Sequence, residues 1–97
     1  MHKISKYKLI TLGQFDRDYK KFKKSKDILS KINKSLKFLL EHPYHLSLKT
    51  HKVNIPLLGY VCSSRVTGDL RFIWILDQED RLLIIAIRLQ GHDTVYD

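Results

Sequence analysis

The segment "YVCSSRVTGDLRFIWILDQEDRLLIIAIRL" (residues 60–89) decides the fold of this chain. It contains three runs of β-branched, aromatic and aliphatic residues, at 60–66, 70–76 and 81–89, and each run is short enough to be a strand. The loop TGD joins the first two runs, and the polar turn DQED joins the second run to the third. Because connections this short favour antiparallel neighbours, the segment predicts a three-stranded meander.

The residues before this meander predict a further strand and two helices. "YKLITL" (7–12) has the composition of an edge or terminal strand. Aromatic residues recur at helical spacing over 14–24, and an apolar stripe runs through 25–43 until Pro43 ends the second helix. Residues 44–59 show no sustained period, which predicts an ordered connection that includes at most a short extended piece. We therefore expect an α+β fold of order β-α-α-β-β-β, with the helical pair packed on a small, mainly antiparallel four-stranded sheet.

The length and composition of the chain restrict the class of protein. A chain of 97 residues is long enough for one hydrophobic core, so we expect a single domain over 1–97. No apolar stretch is long enough to span a membrane, and the N-terminus lacks the features of a secretory signal. Cys62 is the only cysteine, which excludes an internal disulfide. These features predict a soluble, cytoplasmic protein.

Positive charge is concentrated in the first half of the chain. Residues 1–52 contain 14 Lys and Arg against 4 Asp and Glu, whereas residues 53–97 contain 4 against 6. All but one of the first-half cations are lysines, and all of the second-half cations are arginines. Lysine attracts phosphates without fixed geometry, and arginine can hold one phosphate in a fixed geometry. The pattern favours a polyanionic partner over the alternative of a merely solvated helix face.

The last strand continues into "IRLQGHDTVYD" (87–97), where Arg88 is followed by His92. Gly91 permits a turn that returns His92 towards Arg88. Cleaving RNA without a metal requires a base for the 2′-hydroxyl proton, an acid for the departing 5′-oxygen, and cations on the phosphate. Histidine can serve in either proton role, and Arg71 and Arg88 on neighbouring strands could hold the phosphate. The alternative is a capping or packing role for His92.

The element order, with "LKTHKV" after the second helix, "GDLRFIW" in the arginine-bearing strand and "GHDTVY" at the end, resembles the RelE/ParE superfamily of bacterial and archaeal toxins. The resemblance is strongest to its YafQ-like RelE/StbE branch and runs from about Tyr7 to Tyr96. It implies a ribosome-dependent mRNA endoribonuclease (an mRNA interferase) that uses neither a metal nor another cofactor. It also implies that a cognate antitoxin protein neutralises the toxin, that the ribosome and mRNA are its other partners, and that the toxin alone is a monomer.

The resemblance further implies roles for individual residues. His92 stands in the place of the catalytic histidine of the branch, and Arg88 in the place of the arginine four positions before it. His51 resembles the histidine after the second helix, and Asp69 the acid that opens the arginine-bearing strand. The expected substrate-binding residues are Arg71, Tyr96, Lys49 and Lys52. Ser64 and Leu70 stand where YafQ-like members have a histidine and a tryptophan.

The sequence alone leaves two other functions open. One is a non-catalytic, ParE-like toxin that inhibits gyrase, although that group lacks the terminal histidine set. The other is a degenerate module that binds RNA or the ribosome and keeps the basic surface without the chemistry.

Overall fold

The computed structural model describes residues 6–91, which form two helices and one five-stranded sheet. The elements are β1 (Lys8–Thr11), α1 (Gly13–Lys20), α2 (Lys26–Glu41), β2 (His51–Ile55), β3 (Gly59–Arg65), β4 (Leu70–Leu76) and β5 (Leu83–Gly91), with a short 3-10 turn at Leu46–Leu48 before β2. The strands lie in the order β1-β5-β4-β3-β2. Only β1 and β5 pair in parallel; the other pairs are antiparallel. The α+β prediction is confirmed, with one strand more than the four expected.

The additional strand is β2, which lies in the segment predicted to be a connection. His51, Val53 and Ile55 alternate with Lys52 and Asn54, which is the period of a strand, but over five residues only. Pairing with β3 along its whole length gives this short segment its backbone partners. The sequence predicted no more than a short extended piece here, because strand formation depends on a neighbour that the local pattern does not reveal.

The two helices pack on one face of the sheet. Phe15 from α1 stacks on Phe72 from β4, with ring centroids 6.1 Å apart. The buried core between helices and sheet contains Phe15, Ile32, Leu39, Leu48, Leu70, Phe72, Trp74, Ile84, Ala86 and Leu89. Burying a large apolar side chain contributes about 1.5–3 kcal/mol, so this layer is the main source of stability. Trp74 is fully buried in this layer.

A bulge in β5 determines the face of the sheet on which Arg88 lies. Trp74 pairs with Ala86, but its neighbour Ile73 pairs with Arg88, so Ile87 is an extra residue in β5. Cross-strand partners share a face, which places Arg88 on the face that points away from the helices. We call this the distal face. Simple alternation along β5 would group Arg88 with Ala86, but the bulge reverses this, and a bulge within an apolar run leaves no mark in the hydrophobic pattern.

Asp18 fastens α1 to the edge of β5. The ladder between β1 and β5 ends at Ala86. Beyond it, Asp18 Oδ2 accepts hydrogen bonds from the backbone N–H of Leu89 at 3.0 Å and from Arg88 Nε at 2.8 Å, and the carboxylate is only 2% exposed. Burial raises the pKa of Asp18, but the hydrogen bonds from Arg88, Leu89 and Gln14 outweigh it, so the pKa lies below its usual value.

Two adjacent buried serines of β3 lie on opposite faces of the sheet and differ in their hydrogen bonds. Ser64 faces the helices, where the indole N–H of Trp74 donates to its Oγ at 2.8 Å. Thr50 donates its own proton to the Pro43 carbonyl at 2.6 Å, so the Ser64 hydroxyl donates to Thr50 Oγ1. Ser63 lies on the distal face, and its buried Oγ has no hydrogen-bond partner within residues 6–91. Ser64 is therefore part of the core, away from the distal face.

Replacing Asp18→Asn tests the anchor at the β5 edge. We expect a loss of about 2–3 kcal/mol in the free energy of unfolding at pH 7, because hydrogen bonds to charged groups contribute about 1.5–3 kcal/mol. The native pKa is depressed, so this stability is fully present above the unfolded-state pKa of about 3.9 and disappears as the pH falls through the native pKa. Denaturant unfolding at several pH values measures the difference, which should shrink below about pH 4.

The matched control is Asp27→Asn, because Asp27 is exposed in the first turn of α2. It should cost no more than about 1 kcal/mol. An equal loss in both variants, or a difference from the parent that persists unchanged at low pH, would contradict the anchoring role of Asp18.

Substitution by alanine should affect stability differently at the two serines. Ser64→Ala should destabilise the protein by about 1–3 kcal/mol, because it leaves the Trp74 N–H without its buried acceptor. Ser63→Ala should be neutral within about 0.5 kcal/mol or slightly stabilising, because it removes a buried hydroxyl that lacks a partner within the described residues. Denaturant midpoints of the two variants measure the contrast, and similar losses in both would show that the network has no energetic importance.

Candidate functional site

The distal face brings a histidine and three arginines into two neighbouring rows. Residues that pair across strands share a row, and residues two apart along a strand share a face. One row contains His51, Ser63, Ile73 and Arg88, and the next contains Arg65, Arg71 and Gln90. Strands lie about 4.8 Å apart, so the first row extends about 14 Å from β2 to β5. Ser63 and Ile73 in the middle of the first row are fully buried, so a ligand on this face would meet His51 and the partly exposed arginines.

His51 is exposed at the start of β2, and its ring is held by the backbone of Lys49. The ring atom Nδ1 lies 3.0 Å from the Lys49 carbonyl oxygen. A carbonyl oxygen only accepts, so Nδ1 carries the proton, and in the neutral ring Nε2 is the atom that can accept one. Lys49 directs its carbonyl to the ring from a left-handed conformation with φ of 49°, which is uncommon for a residue with a side chain. The backbone thus selects the tautomer that a general base needs.

Arg88 is held on both sides of its guanidinium group. Asp18 accepts from Nε at 2.8 Å and from Nη2 at 3.4 Å. The Gln90 carboxamide is assigned the orientation that satisfies the guanidinium, with its oxygen 2.6 Å from Nη1 and 2.7 Å from Nη2. The Arg88 side chain remains 32% exposed. Arg88 is therefore fixed in position before any ligand arrives, and only part of its guanidinium can meet one.

Two further predicted site residues lie near these rows. Asp69 is exposed in the loop between β3 and β4, two residues before Arg71, and its backbone N–H donates to Thr67 Oγ1 at 3.2 Å. Lys49 is exposed and lies two residues before His51. Both side chains are exposed.

The structure does not bring Lys52 to the same face as His51. Lys52 is exposed and pairs with Cys62, which in turn pairs with Trp74 on the helix-packed face. Burial raises the pKa of the Cys62 thiol, and the charge of Lys52 offsets part of that effect. Lys52 is thus separated by the thickness of the sheet from the residues with which the sequence analysis grouped it.

His92 and Tyr96, which the sequence analysis predicts to be catalytic and substrate-binding, lie outside the described residues 6–91. The described part of β5 ends at Gly91, which pairs with Leu70 next to the row of Arg71 and Gln90.

Arg65 was missed by the sequence analysis. It pairs directly with Arg71 across the hairpin between β3 and β4. The signal in the sequence was the placement of two arginines on either side of one short loop, "RVTGDLR" (65–71). That signal becomes informative only when the register of the hairpin is known, because a shift by one residue would move Arg65 to the other face.

Within residues 6–91, no three His, Cys, Asp or Glu side chains lie close enough together to hold a metal ion. Neither helix of this described part is long and apolar enough to cross a membrane.

No family model and no curated relative matches the chain in sequence. Solved structures do match it in fold. A YoeB/ParE toxin from Agrobacterium tumefaciens has 19% identity and a TM-score of 0.71 over 88% of this chain and 98% of its own. The E. coli DinJ-YafQ toxin-antitoxin complex matches with 22% identity and a TM-score of 0.69, over 95% of this chain and 99% of that chain.

An archaeal RelE-RelB complex from Pyrococcus horikoshii OT3 matches with 16% identity and a TM-score of 0.68, over 89% of this chain and 94% of that chain. In all three comparisons the match covers at least 88% of each chain, whereas the sequence identity is 22% or less. The resemblance read from the sequence is confirmed in the fold: this chain has the architecture shared by YafQ, RelE and YoeB/ParE toxins.

Proposed function

We propose that this protein is the toxin of a type II toxin-antitoxin system and that it cleaves mRNA on the ribosome. The observation that carries the proposal is the distal face, where His51, with Nε2 as its proton acceptor, shares two adjacent rows with three arginines. A proton acceptor and fixed cations on one surface are what cleavage of a phosphodiester by its own 2′-hydroxyl requires. Similarity to YafQ and RelE structures in fold supports the same conclusion.

In the proposed reaction, His51 Nε2 removes the proton of the 2′-hydroxyl. The 2′-oxygen attacks the phosphorus, a 2′,3′-cyclic phosphate forms, and the bond to the 5′-oxygen breaks. His92 gives a proton to the departing 5′-oxygen. Each proton transfer of this kind typically contributes about 10²–10⁴-fold to the rate.

Arg71 and Arg88 have different roles in this proposal. Arg71 contacts the phosphate, whose negative charge grows as the 2′-oxygen attacks. Arg88 is primarily a positioning residue, because Asp18 and Gln90 already occupy most of its guanidinium. A donor that is fixed in advance needs no reorganisation during the reaction. Asp69 lies shortly before Arg71 in the sequence, and Tyr96 lies shortly after His92. In this proposal, both residues orient the RNA or a catalytic partner.

The surface of the two helices and their connecting turn supplies attraction to RNA that does not depend on its sequence. Eight lysines here are exposed: Lys20, Lys21, Lys23, Lys24, Lys26, Lys31, Lys34 and Lys37. Contacts between such side chains and phosphates are sensitive to salt and suit docking on ribosomal RNA. The cognate antitoxin would need acidic side chains to cover the same charge. A protein that acts on ribosomes works in the cytoplasm.

Replacing His51→Gln tests the role of this residue. We expect mRNA cleavage on translating ribosomes to be about 10²–10⁴-fold slower, because the amide cannot accept the 2′-hydroxyl proton, and induced expression should no longer arrest growth. Primer extension on a ribosome-bound message measures the cleavage.

The matched control is His42→Gln, since His42 is an exposed histidine at the end of α2. It should cleave as fast as the parent. Unchanged cleavage by His51→Gln would show that His51 is not part of the mechanism. Growth arrest with intact mRNA and gyrase-linked DNA breaks would contradict the proposed activity and would support gyrase inhibition.

A further inference from the structure

A groove of about 610 Å³ lies between α2 and the end of β3, and we call it the α2 groove. Its apolar floor consists of the half-buried Phe38 and Val66 and the buried Leu48. The exposed side chains of Lys34 and Lys37 line it as well. Its volume lies within the range of ligand-binding pockets, about 300–1,000 Å³. The groove therefore suits a group that is apolar in one part and negatively charged in another.

The ring of Phe38 is held in place by two histidine rings. The centroid of the His45 ring lies 4.7 Å from that of Phe38, and the His42 ring meets it edge-on at 5.7 Å. His45 is itself restrained, because its Nδ1 accepts a hydrogen bond from the backbone N–H of Ser47 at 3.1 Å. A ring that is already fixed loses little freedom when a ligand packs against it. Phe38 thus offers a flat apolar surface that is arranged before a ligand arrives.

The charges around the α2 groove favour an anionic ligand. Lys34, Lys37 and Arg65 line it against one carboxylate, that of Glu41. Within residues 6–91, neither of the two lysines forms an ion pair with a carboxylate. Lys31 continues the same row of lysines along the exposed side of α2, three residues before Lys34. Charge complementarity therefore indicates a polyanion that follows α2 and places one apolar group in the groove.

The size of the apolar floor decides between an acidic protein segment and RNA. An amphipathic helix that binds in a groove uses successive apolar anchors at i, i+3, i+4 and i+7. The floor of the α2 groove has three apolar side chains, which provide room for one flat group only. An unpaired RNA base is one flat group with a phosphate on each side. Such bases commonly stack on aromatic side chains of the proteins that recognise them.

We propose that the α2 groove binds one unpaired base of a folded RNA. The base lies against Phe38, and its flanking phosphates lie near Lys34 and Lys37. The proposal rests on the proposed function, because it names the feature of ribosomal RNA that the lysine surface of the helices meets. Attraction between lysines and phosphates does not select one position on an RNA. A base in the groove selects one position and thereby orients the distal face relative to the message.

The experiment compares two probes that differ in one base. The first is a blunt 2′-O-methyl RNA duplex with one bulged adenosine, and the second is the same duplex with an abasic residue at the bulge. Both contain the same phosphates, and neither can be cleaved through a 2′-oxygen. Fluorescence anisotropy of an end-labelled strand measures the affinity of each probe over a range of salt.

The variants are Phe38→Leu, which removes the ring, and Phe38→Tyr, which keeps it. The matched control is Phe22→Leu, because Phe22 is also half-buried against the core but lies outside the α2 groove. Unfolding midpoints are measured in parallel. A purely structural role of Phe38 would lower the affinity for both probes by the same factor, so the ratio of the two affinities separates binding from stability.

We expect the parent to bind the bulged-adenosine duplex at least about 5-fold more tightly than the abasic duplex, which is the lower end of the effect of one base stacked on an aromatic side chain. Phe38→Leu should bind both duplexes equally. Phe38→Tyr and Phe22→Leu should keep the preference of the parent. Equal affinity of the parent for both duplexes, or a preference that persists in Phe38→Leu, would overturn the proposal.

The lysines of the groove predict a different result. Lys37→Gln should weaken the binding of both duplexes by the same factor and keep the preference for the bulged adenosine. The slope of log affinity against log salt should fall by about 0.7–0.9, the value of one phosphate contact. An unchanged slope would overturn the placement of a phosphate near Lys37.

The outcomes separate this proposal from the proposed function. Parent protein that prefers the bulged adenosine through Phe38 but does not cut mRNA on ribosomes would overturn the enzymatic function and support the groove. Parent protein that cuts mRNA but does not distinguish the two duplexes would overturn the groove alone. Tighter binding of adenosine monophosphate than of the bulged duplex would assign the groove to a free nucleotide. Weaker neutralisation of Phe38→Leu by an antitoxin, with an unchanged preference between the duplexes, would assign it to a protein partner. Either assignment would overturn the proposal.

Discussion

The carboxylate of Asp18 is the contact on which the geometry of the distal face depends. It lies on α1 and is almost fully buried, and it binds both a backbone N–H at the edge of β5 and the side chain of Arg88. Without this side chain, the Leu89 N–H would lose its acceptor at a point where β1 no longer pairs with β5. The same contact therefore completes the sheet, orients the first helix and fixes an arginine of the proposed site. Gln90 restrains the other side of that arginine.

The uneven use of lysine and arginine along the chain matches two different roles of positive charge. Lysines dominate the turn after α1 and helix α2, where exposed and mobile charges attract a polyanion without requiring one geometry. Arginines replace them in the strands, and three of the four lie in the two rows of the distal face. Arg88 is fixed within the protein by Asp18 and Gln90, whereas Arg65 and Arg71 pair with each other across the hairpin between β3 and β4. The two halves of the chain thus supply long-range attraction and local positioning.

Much of the fold follows from local patterns, but the features that build the site do not. The meander of β3, β4 and β5 and the apolar stripes of both helices are predictable because alternation and helical spacing act over a few residues. The partner of Asp18 lies 70 residues away, and the motif "FDRDYK" (15–20) does not show which of its two aspartates will be buried. The bulge at Ile87 is equally hidden, since apolar residues surround it. His51 was identified through resemblance to a family, Arg71 and Arg88 were identified through their residue type on neighbouring strands, and Arg65 required the register of a hairpin.

The proposed chemistry depends on which atom attacks the phosphorus. In the proposed reaction, the attacking atom is the 2′-oxygen of the RNA, activated by a histidine whose tautomer is selected by the Lys49 carbonyl. The chemical ends of the RNA fragments test this claim most directly, because they record the attacking atom. Mass spectrometry of an oligonucleotide cleaved on the ribosome should find a 2′,3′-cyclic phosphate on the upstream fragment and a 5′-hydroxyl on the downstream fragment. A 3′-hydroxyl and a 5′-phosphate would contradict the proposed reaction, because they would show that water attacked the phosphorus.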